Sequence, residues 1–306
     1  MLRYALTKLA LLVPLLLGVG LVVFLIGAAT PGDPVLIMLG EGAPPGEVER
    51  LRTRLGLDLP GYLQYVHFVS GAVRGDLGLS YRSKQPVFGE VMDRFPATLE
   101  LTLAAMSFAV FFGMSLGLLA ALRRNTLFDR SAVLLAVVGS SMPVFWSGLL
   151  LILLFALTLG WLPASGRGSL QQLVLPALAL GLGSAALIAR LTRSSMLESL
   201  SQDYIRTARA KGLAERTVVV RHALRNGLIP VAAAIGLQVG GILAGAVLTE
   251  TVFAWPGLGR LTVQAIEQRD FPVLRGALLL VATTFTLVHL ALDLLFAYLD
   301  PRIRYR

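Results

Sequence analysis

Between positions 203 and 230 the sequence DYIRTARAKGLAERTVVVRHALRNGLIP places Arg206, Arg209, Lys211, Arg216, Arg221 and Arg225 in one short polar stretch with apolar runs on both sides. Cations crowded on a short helical segment do no bond chemistry by themselves. They suit electrostatic docking against an acidic surface. A second pair, His289 and Asp293, sits four residues apart on one face of the last apolar run. Such a pair could relay a proton or simply hydrogen-bond locally. The three histidines, His67, His222 and His289, are far apart, and the chain has no cysteine. There is no G-x-x-x-x-G-K-[ST] phosphate loop, no G-x-S-x-G and no H-E-x-x-H,. Disulfide and thiol chemistry are excluded, and nothing in the sequence supports ATP binding by that loop, hydrolysis or metal catalysis. The chain reads as a pathway or a scaffold.

The elements that must hold these residues are membrane-spanning. Of the 306 residues 56% are hydrophobic and 15% charged, against about 25% charged in a soluble domain. Charge is absent from 9–32, 101–122, 131–166, 168–189, 226–249 and 276–292. A spanning helix needs roughly 20 apolar residues. Gly160, Pro163 and Gly166 break the tail of the third block, so it is assigned one span near 132–159. The fold class is therefore an all-α polytopic membrane protein of six transmembrane helices. The first apolar block exceeds the roughly 7–15-residue core of a signal peptide, so it is read as an uncleaved helix.

Orientation follows the excess of Lys and Arg in short cytoplasmic segments. With the N-terminus inside, Arg3, Lys8, Arg123, Arg124, Arg130, the cations of 190–225 and Arg302, Arg304 and Arg306 fall inside. Only Arg167, Arg260, Arg269 and Arg275 fall in the short outer loops. The assignment is N-in, C-in. The net charge of +9 is read as topology and lipid contact, with no nucleic acid as partner.

Three regions follow: 1–32, the N-terminus and first helix; 33–97, an extracytoplasmic loop between helices 1 and 2; and 98–306, a five-helix core. The core includes a cytoplasmic segment, 191–226, between helices 4 and 5. The loop opens on the turn Pro31-Gly32-Asp33-Pro34. It then carries a charged helical stretch, Glu47 to Leu55, stopped by Gly56. An aromatic run follows, Tyr62, Tyr65, His67 and Phe68, then a turn at Gly75–Gly78 and a short helix, Pro86 to Phe95, leading into the second span. It is a folded cap, either a lid over the bundle or a docking surface for an outer partner. Pro143 and Pro176 are expected to kink spans three and four, as static bends or as a hinge. Glu100 and Glu250 fall at outer helix ends and are read as interfacial. No ladder of carboxylates runs through the spans, which weakens any proton-coupled reading.

Within the cytoplasmic insert, Ser201 or Asp203 can cap a helix starting near Tyr204. Arg209 and Lys211 suit its last turn, and Gly212 suits the left-handed residue that ends it. A second helix is expected from about Ala214 to Asn226, with Pro230 at the mouth of span five. Thr207, Ala208 and Ala210 offer a small-residue surface for a partner's groove. The device is a static loop or a lever.

These residues resemble the coupling segment of ATP-binding-cassette importer permeases. Arg206-Thr207-Ala208 stands where that family's general form has Glu-Ala-Ala, Gly212 matches, and Arg225 replaces a proline. The dipeptide/oligopeptide/nickel branch fits better, through DYIRTARAKGL at 203–213 and HALRN at 222–226 followed by Pro230. The resemblance runs the length of the chain. It includes PGDP (31–34), LGLDLP (55–60), GDLGLS (75–80), PATLEL (96–101), SMPVFW (141–146), ARLTRSSMLE (189–198), LTETVFAWPGLGRL (248–261), QRDFPV (268–273) and DPRIR (300–304). The outer loop 160–172 is shorter than in some relatives.

As a B-type subunit of that family, the chain is expected to be a multi-pass protein of a bacterial or archaeal inner membrane. It would form, with a second (C-type) permease subunit, the path for di-/oligopeptides delivered by an extracytoplasmic binding protein. ATP and Mg would be held by one or two cytoplasmic ATPase subunits, with no cofactor, metal or catalytic residue on this chain. The resemblance assigns ATPase coupling to Asp203, Tyr204, Ile205, Arg206, Thr207, Ala208, Arg209, Ala210, Lys211 and Gly212. It suggests an outer gate at Glu250, Trp255, Pro256 and Gly257, in a re-entrant turn. Alternatives are the same machinery importing nickel chelate, glutathione or oligosaccharide, or an ion-coupled secondary transporter.

Overall fold

The computed structural model describes residues 2–29, 33–40 and 42–299. The Pro31-Gly32 turn and the 300–304 motif lie outside them. The described residues form helices α1 (Leu2–Ala29), α2 (Pro34–Leu39), α3 (Pro45–Arg54), α4 (Gly61–Val73), α5 (Val87–Leu122), α6 (Leu127–Ser141), α7 (Val144–Leu151), α8 (Leu170–Leu200), α9 (Asp203–Ala210), α10 (Glu215–Thr217), α11 (Leu224–Val252), α12 (Leu258–Glu267) and α13 (Phe271–Leu299). Stretches of π-helix extend α7 through Thr158 and join α10 to α11. Among the described residues the one β-bridge joins Leu79 and Pro86. Among the described residues five helical runs are long and apolar enough to cross a membrane, and a sixth span arises if the bent α6–α7 pair counts as one. The chain is thus an all-α polytopic membrane protein. It divides into two compact units, Met1–Thr98 with Pro256–Arg306, and Leu99–Trp255.

In the first unit, the start of α5 meets α12 and α13. Val87, Val91, Leu258, Phe271, Leu274 and Ala277 form a buried cluster there. This packing explains a difference from the expected short helix at 86–95. Val87 and Val91 sit on an apolar stripe held from outside the helix, so α5 continues unbroken through Pro96 for 36 residues. At 1.5 Å per residue that is roughly 54 Å, well beyond the ~30 Å hydrocarbon core. The aromatic run at 62–68 lies on α4, which packs along α1. Tyr65 Oη donates to the Leu17 carbonyl at 2.7 Å, and Phe24 stacks edge-on with Tyr65 at 5.7 Å. Asp33 caps α2 by accepting from the Val35 N–H at 2.9 Å and pairs with Arg52. On α13 the His289 ring lies 4.2 Å from that of Phe285, and its Nδ1 has no hydrogen-bond partner.

In the second unit the helices approach through small residues, as packing in lipid favours. A Cβ placed on Gly117 of α5 would lie 2.3 Å from the Ala189 carbonyl oxygen of α8, and one on Gly113 would lie 2.7 Å from that of Ala185. Gly181 of α8 returns the contact, 2.6 Å from the Ala105 oxygen. The third span is broken more severely than a tolerated kink. α6 and α7 meet at 110°. Pro143 starts α7 and holds Met142 before it extended, at ψ 128°, as the residue before proline prefers. Pro176, by contrast, sits inside an unbroken α8. Asp129 at the start of α6 is buried and takes both Nε and an Nη of Arg193 of α8, at 2.6 and 2.8 Å. The same carboxylate accepts from the Asn125 N–H at 2.9 Å, so one ion pair fixes the turn before α6 to α8.

Candidate functional site

The basic insert folds as a short helix held between two long ones. α8 ends at Leu200, and α9 follows after Ser201 and Gln202. The cap residue is Gln202, not Ser201 or Asp203, and no side chain caps the helix. Gly212 ends α9 as its spacing predicts, at φ +74°. The Leu213 N–H reaches back to the Ala208 carbonyl at 3.4 Å and the Gly212 N–H to that of Arg209 at 2.9 Å. This is the paired closure that a left-handed glycine allows at a helix end. Arg209 then forks onto Glu215 across the turn, with bonds of 2.6 and 3.1 Å. That bond raises the Arg209 pKa further above its ordinary value.

The expected second helix does not stop near Asn226. It begins at Glu215 and runs without a break to Val252, through a π-helical stretch at 218–223 and through Pro230. The reason is packing: Val218, Val219 and Ala223 are buried against α9 and the end of α8. Ser199 donates to the Ala223 carbonyl at 2.9 Å and meets Tyr204 Oη at 2.7 Å, tying α8, α9 and the second arm together.

The ten candidate coupling residues divide into two faces. Ile205 and Ala208 point inward, into a cluster with Met196, Val218 and Val219. Asp203, Tyr204, Arg206, Thr207, Arg209, Ala210, Lys211 and Gly212 are exposed. Ala208 is therefore not part of a surface offered to a partner. Its smallness lets α9 lie close on its own arms, and residue type alone gives no hint of that direction. The exposed face is predominantly basic. Ala208→Trp is expected to lift α9 from its seat and so to abolish coupling. Trypsin cleavage after Arg206 or Arg209 should accelerate several-fold, and unchanged cleavage would show that Ala208 is not a seat.

The candidate outer gate is placed differently. Glu250 and Trp255 are fully buried, so Glu250 is not the exposed interfacial carboxylate its position suggests. They close the end of α11, with the Trp255 N–H donating to the Glu250 carbonyl at 2.8 Å. The chain turns sharply there: α11 ends at Val252, Ala254 takes a left-handed φ of +51°, Pro256 follows, and Gly257 is the cap residue of α12. Charge at Glu250 suggested the interface, because burial of a carboxylate is invisible without the tertiary fold. Sequence reasoning missed Arg167, which fastens the short loop before α8. It pairs with Glu100 at 2.7 Å and lies 5.9 Å over the Trp255 ring.

Residues 113–305 match the family described as binding-protein-dependent transport system inner membrane component, and residues 1–102 match the family described as binding-protein-dependent transport system membrane component, N-terminal. The chain is 46% identical over 338 aligned positions to the dipeptide transport system permease protein DppB of Escherichia coli (strain K12), with 100% of both chains covered. It is 46% identical over 336 positions to the di/tripeptide transport system permease protein DppB of Pseudomonas aeruginosa (strain UCBPP-PA14), again over both whole chains. The glutathione transport system permease protein GsiC of Escherichia coli (strain K12) is 47% identical over 306 positions and equally fully covered. Among solved structures, an amino acid ABC transporter crystallised with histidines shares the fold at a TM-score of 0.53 and 17% identity, over 70% of this chain and 94% of that one. The chain belongs to the binding-protein-dependent transport system inner membrane component family: it is a permease subunit of an ATP-binding-cassette importer and a multi-pass protein of the plasma membrane.

Proposed function

We propose that this permease forms, with a second permease subunit, the membrane path for di- and oligopeptides handed over by an extracytoplasmic binding protein. The observation that carries the cargo is full-length similarity, at 46% identity, to permeases of dipeptide and di/tripeptide systems. The chain sits N-in and C-in, which puts α9 in the cytoplasm and α2–α4 outside. α9 seats its exposed basic face in a cleft of one or two ATPase subunits that bind ATP and Mg. Closure of those subunits drives the spans between inward- and outward-open states, a shift that requires the partner to bind the two states differently. This chain itself hydrolyses nothing. The regions 1–32, 33–97 and 98–306 serve as anchor, outer docking surface and permease core.

A second reading, glutathione as cargo, is favoured by one observation. The glutathione permease aligns over 306 positions, the length of this chain, whereas the dipeptide permeases need 336 to 338. Glutathione is itself a tripeptide, γ-linked at its first residue, so the two readings share a free ammonium, a terminal carboxylate and amide bonds. In vesicles holding the assembled complex, labelled Ala-Phe uptake is expected to stop without ATP and to survive an ionophore. Glutathione is the competing cargo. Uptake of neither would end the peptide reading, and uptake that collapses with the ionophore but not with ATP removal would favour an ion-coupled transporter.

A further inference from the structure

In the unit formed by residues 1–98 and 256–306, a cavity of about 350 Å³ opens between the loop after α4, the first turns of α5, and α12 with the start of α13. Its floor is apolar, from Leu261, Ala265 and Val273, and its walls are polar. That combination, at the small end of the roughly 300–1,000 Å³ range, is how ligand sites are built.

The walls are held in place before any ligand arrives. Asp270 is buried and takes three hydrogen bonds from one short loop: Ser80 Oγ at 2.5 Å, the Tyr81 N–H at 3.2 Å and the Arg82 N–H at 3.3 Å. Arg82 Nε reaches back to the Gln268 carbonyl at 3.2 Å. Ser83 on the same loop donates to Glu90 of α5. The Asp270 charge is thus consumed in fastening the loop.

Two charged groups on the wall are not consumed. Asp93 and Arg94, consecutive on α5, line the cavity, and neither side chain has a hydrogen bond or ion pair among the described residues. Besides Asp270, whose oxygens are taken by the loop, the wall carries two cations, Arg82 and Arg94, and two anions, Glu90 and Asp93. An acyl chain finds charge on every side but the floor. A small molecule carrying both an ammonium and a carboxylate finds a partner for each.

We propose that this cavity is a station for zwitterionic di- or tripeptides. Asp93, with Glu90, takes the free ammonium, and Arg94, with Arg82, takes the free carboxylate, while the side chain nearest the floor rests on Leu261, Ala265 and Val273. The side-chain amides of Gln264 and Gln268 are at hand for the peptide bond. The proposal rests on the peptide-cargo reading and gives it a site on the outer side of this chain.

The test uses the complex in nanodiscs without binding protein, and Ala-Phe as probe. Arg94→Gln and Asp93→Asn should each weaken Ala-Phe binding by about tenfold, the weight of one charge-assisted contact. The end-blocked analogues assign the charges. Ala-Phe-amide should be insensitive to Arg94→Gln, and N-acetyl-Ala-Phe insensitive to Asp93→Asn. Equal Ala-Phe affinity in the wild type and both variants overturns the proposal. So does loss of binding-protein docking in the variants with Ala-Phe binding unchanged, which would make the cavity a socket for that protein. Uptake by the wild type separates the two levels. If Ala-Phe is imported and the variants bind it normally, only the station falls. If neither Ala-Phe nor glutathione is imported, the cargo reading falls and takes the station with it.

Discussion

Gly117→Val is expected to lower the thermal unfolding midpoint of the purified protein more than any conservative change elsewhere in the spans, and to leave much of it aggregated. Even a single Cβ at Gly117 would sit 2.3 Å from the Ala189 carbonyl oxygen and 2.7 Å from the Thr192 Cβ. The first neighbour is backbone of a packed helix and cannot swing aside. Overpacking a tight contact costs about 1–3 kcal/mol when neighbours can adjust. Here α8 is further held by α11 and by the Arg193–Asp129 pair, so the cost falls at or above the top of that range. Gly183→Ala is the control, because a Cβ there meets nothing within 4 Å. Melting curves in detergent decide the matter. If Gly117→Val and Gly183→Ala unfold together with the wild type, α5 and α8 do not cross this closely.

Gly212→Val should lower ATP-driven uptake at least tenfold without disturbing the spans. The logic differs from that at Gly117, since a Cβ on Gly212 would meet nothing within 4 Å. The penalty lies wholly in the backbone. At φ +74° an ordinary residue loses roughly 1–2 kcal/mol, and a β-branched one is a genuine outlier. Relaxing that strain means surrendering the two closing hydrogen bonds and turning Arg209 away from Glu215, so α9 no longer presents a fixed face. Gly212→Asn is expected to keep most of the activity, because asparagine tolerates the left-handed region. Uptake assays on the three proteins, with melting curves to show intact folding, provide the check. Normal uptake by Gly212→Val would mean that the closure of α9 plays no part in transport.

What could be read ahead of the structure was whatever depends on a residue's own properties. A glycine just past a run of helix formers announced the end of α9, and uncharged blocks announced the spans. What could not be read depended on neighbours distant in sequence. Ala208 looks the same facing a partner or facing Val218. Glu250 looks interfacial until the fold buries it. The stretch 86–95 reads as a short helix of its own, yet Val87 and Val91 find partners on α12 and α13, and α5 continues through Pro96. Pro143 was legible as a bend, but an angle of 110° depends on where α7 can pack. The cavity beside Asp93 and Arg94 was the least legible of all, because its walls are drawn from stretches some 170 residues apart.

The joint between α8 and α9 has a mechanical corollary. α8 is 31 residues without interruption, and the arm that leaves α9 is a single helical run of 38. The Ser199, Tyr204 and Ala223 contacts clamp both to the short helix between them. A stroke applied to α9 finds no slack at the joint in which to dissipate. The two rods must carry it as a pair, so displacement at α9 reappears along both rods as tilt, and backlash would have to be engineered in by cutting Ser199 from its two partners.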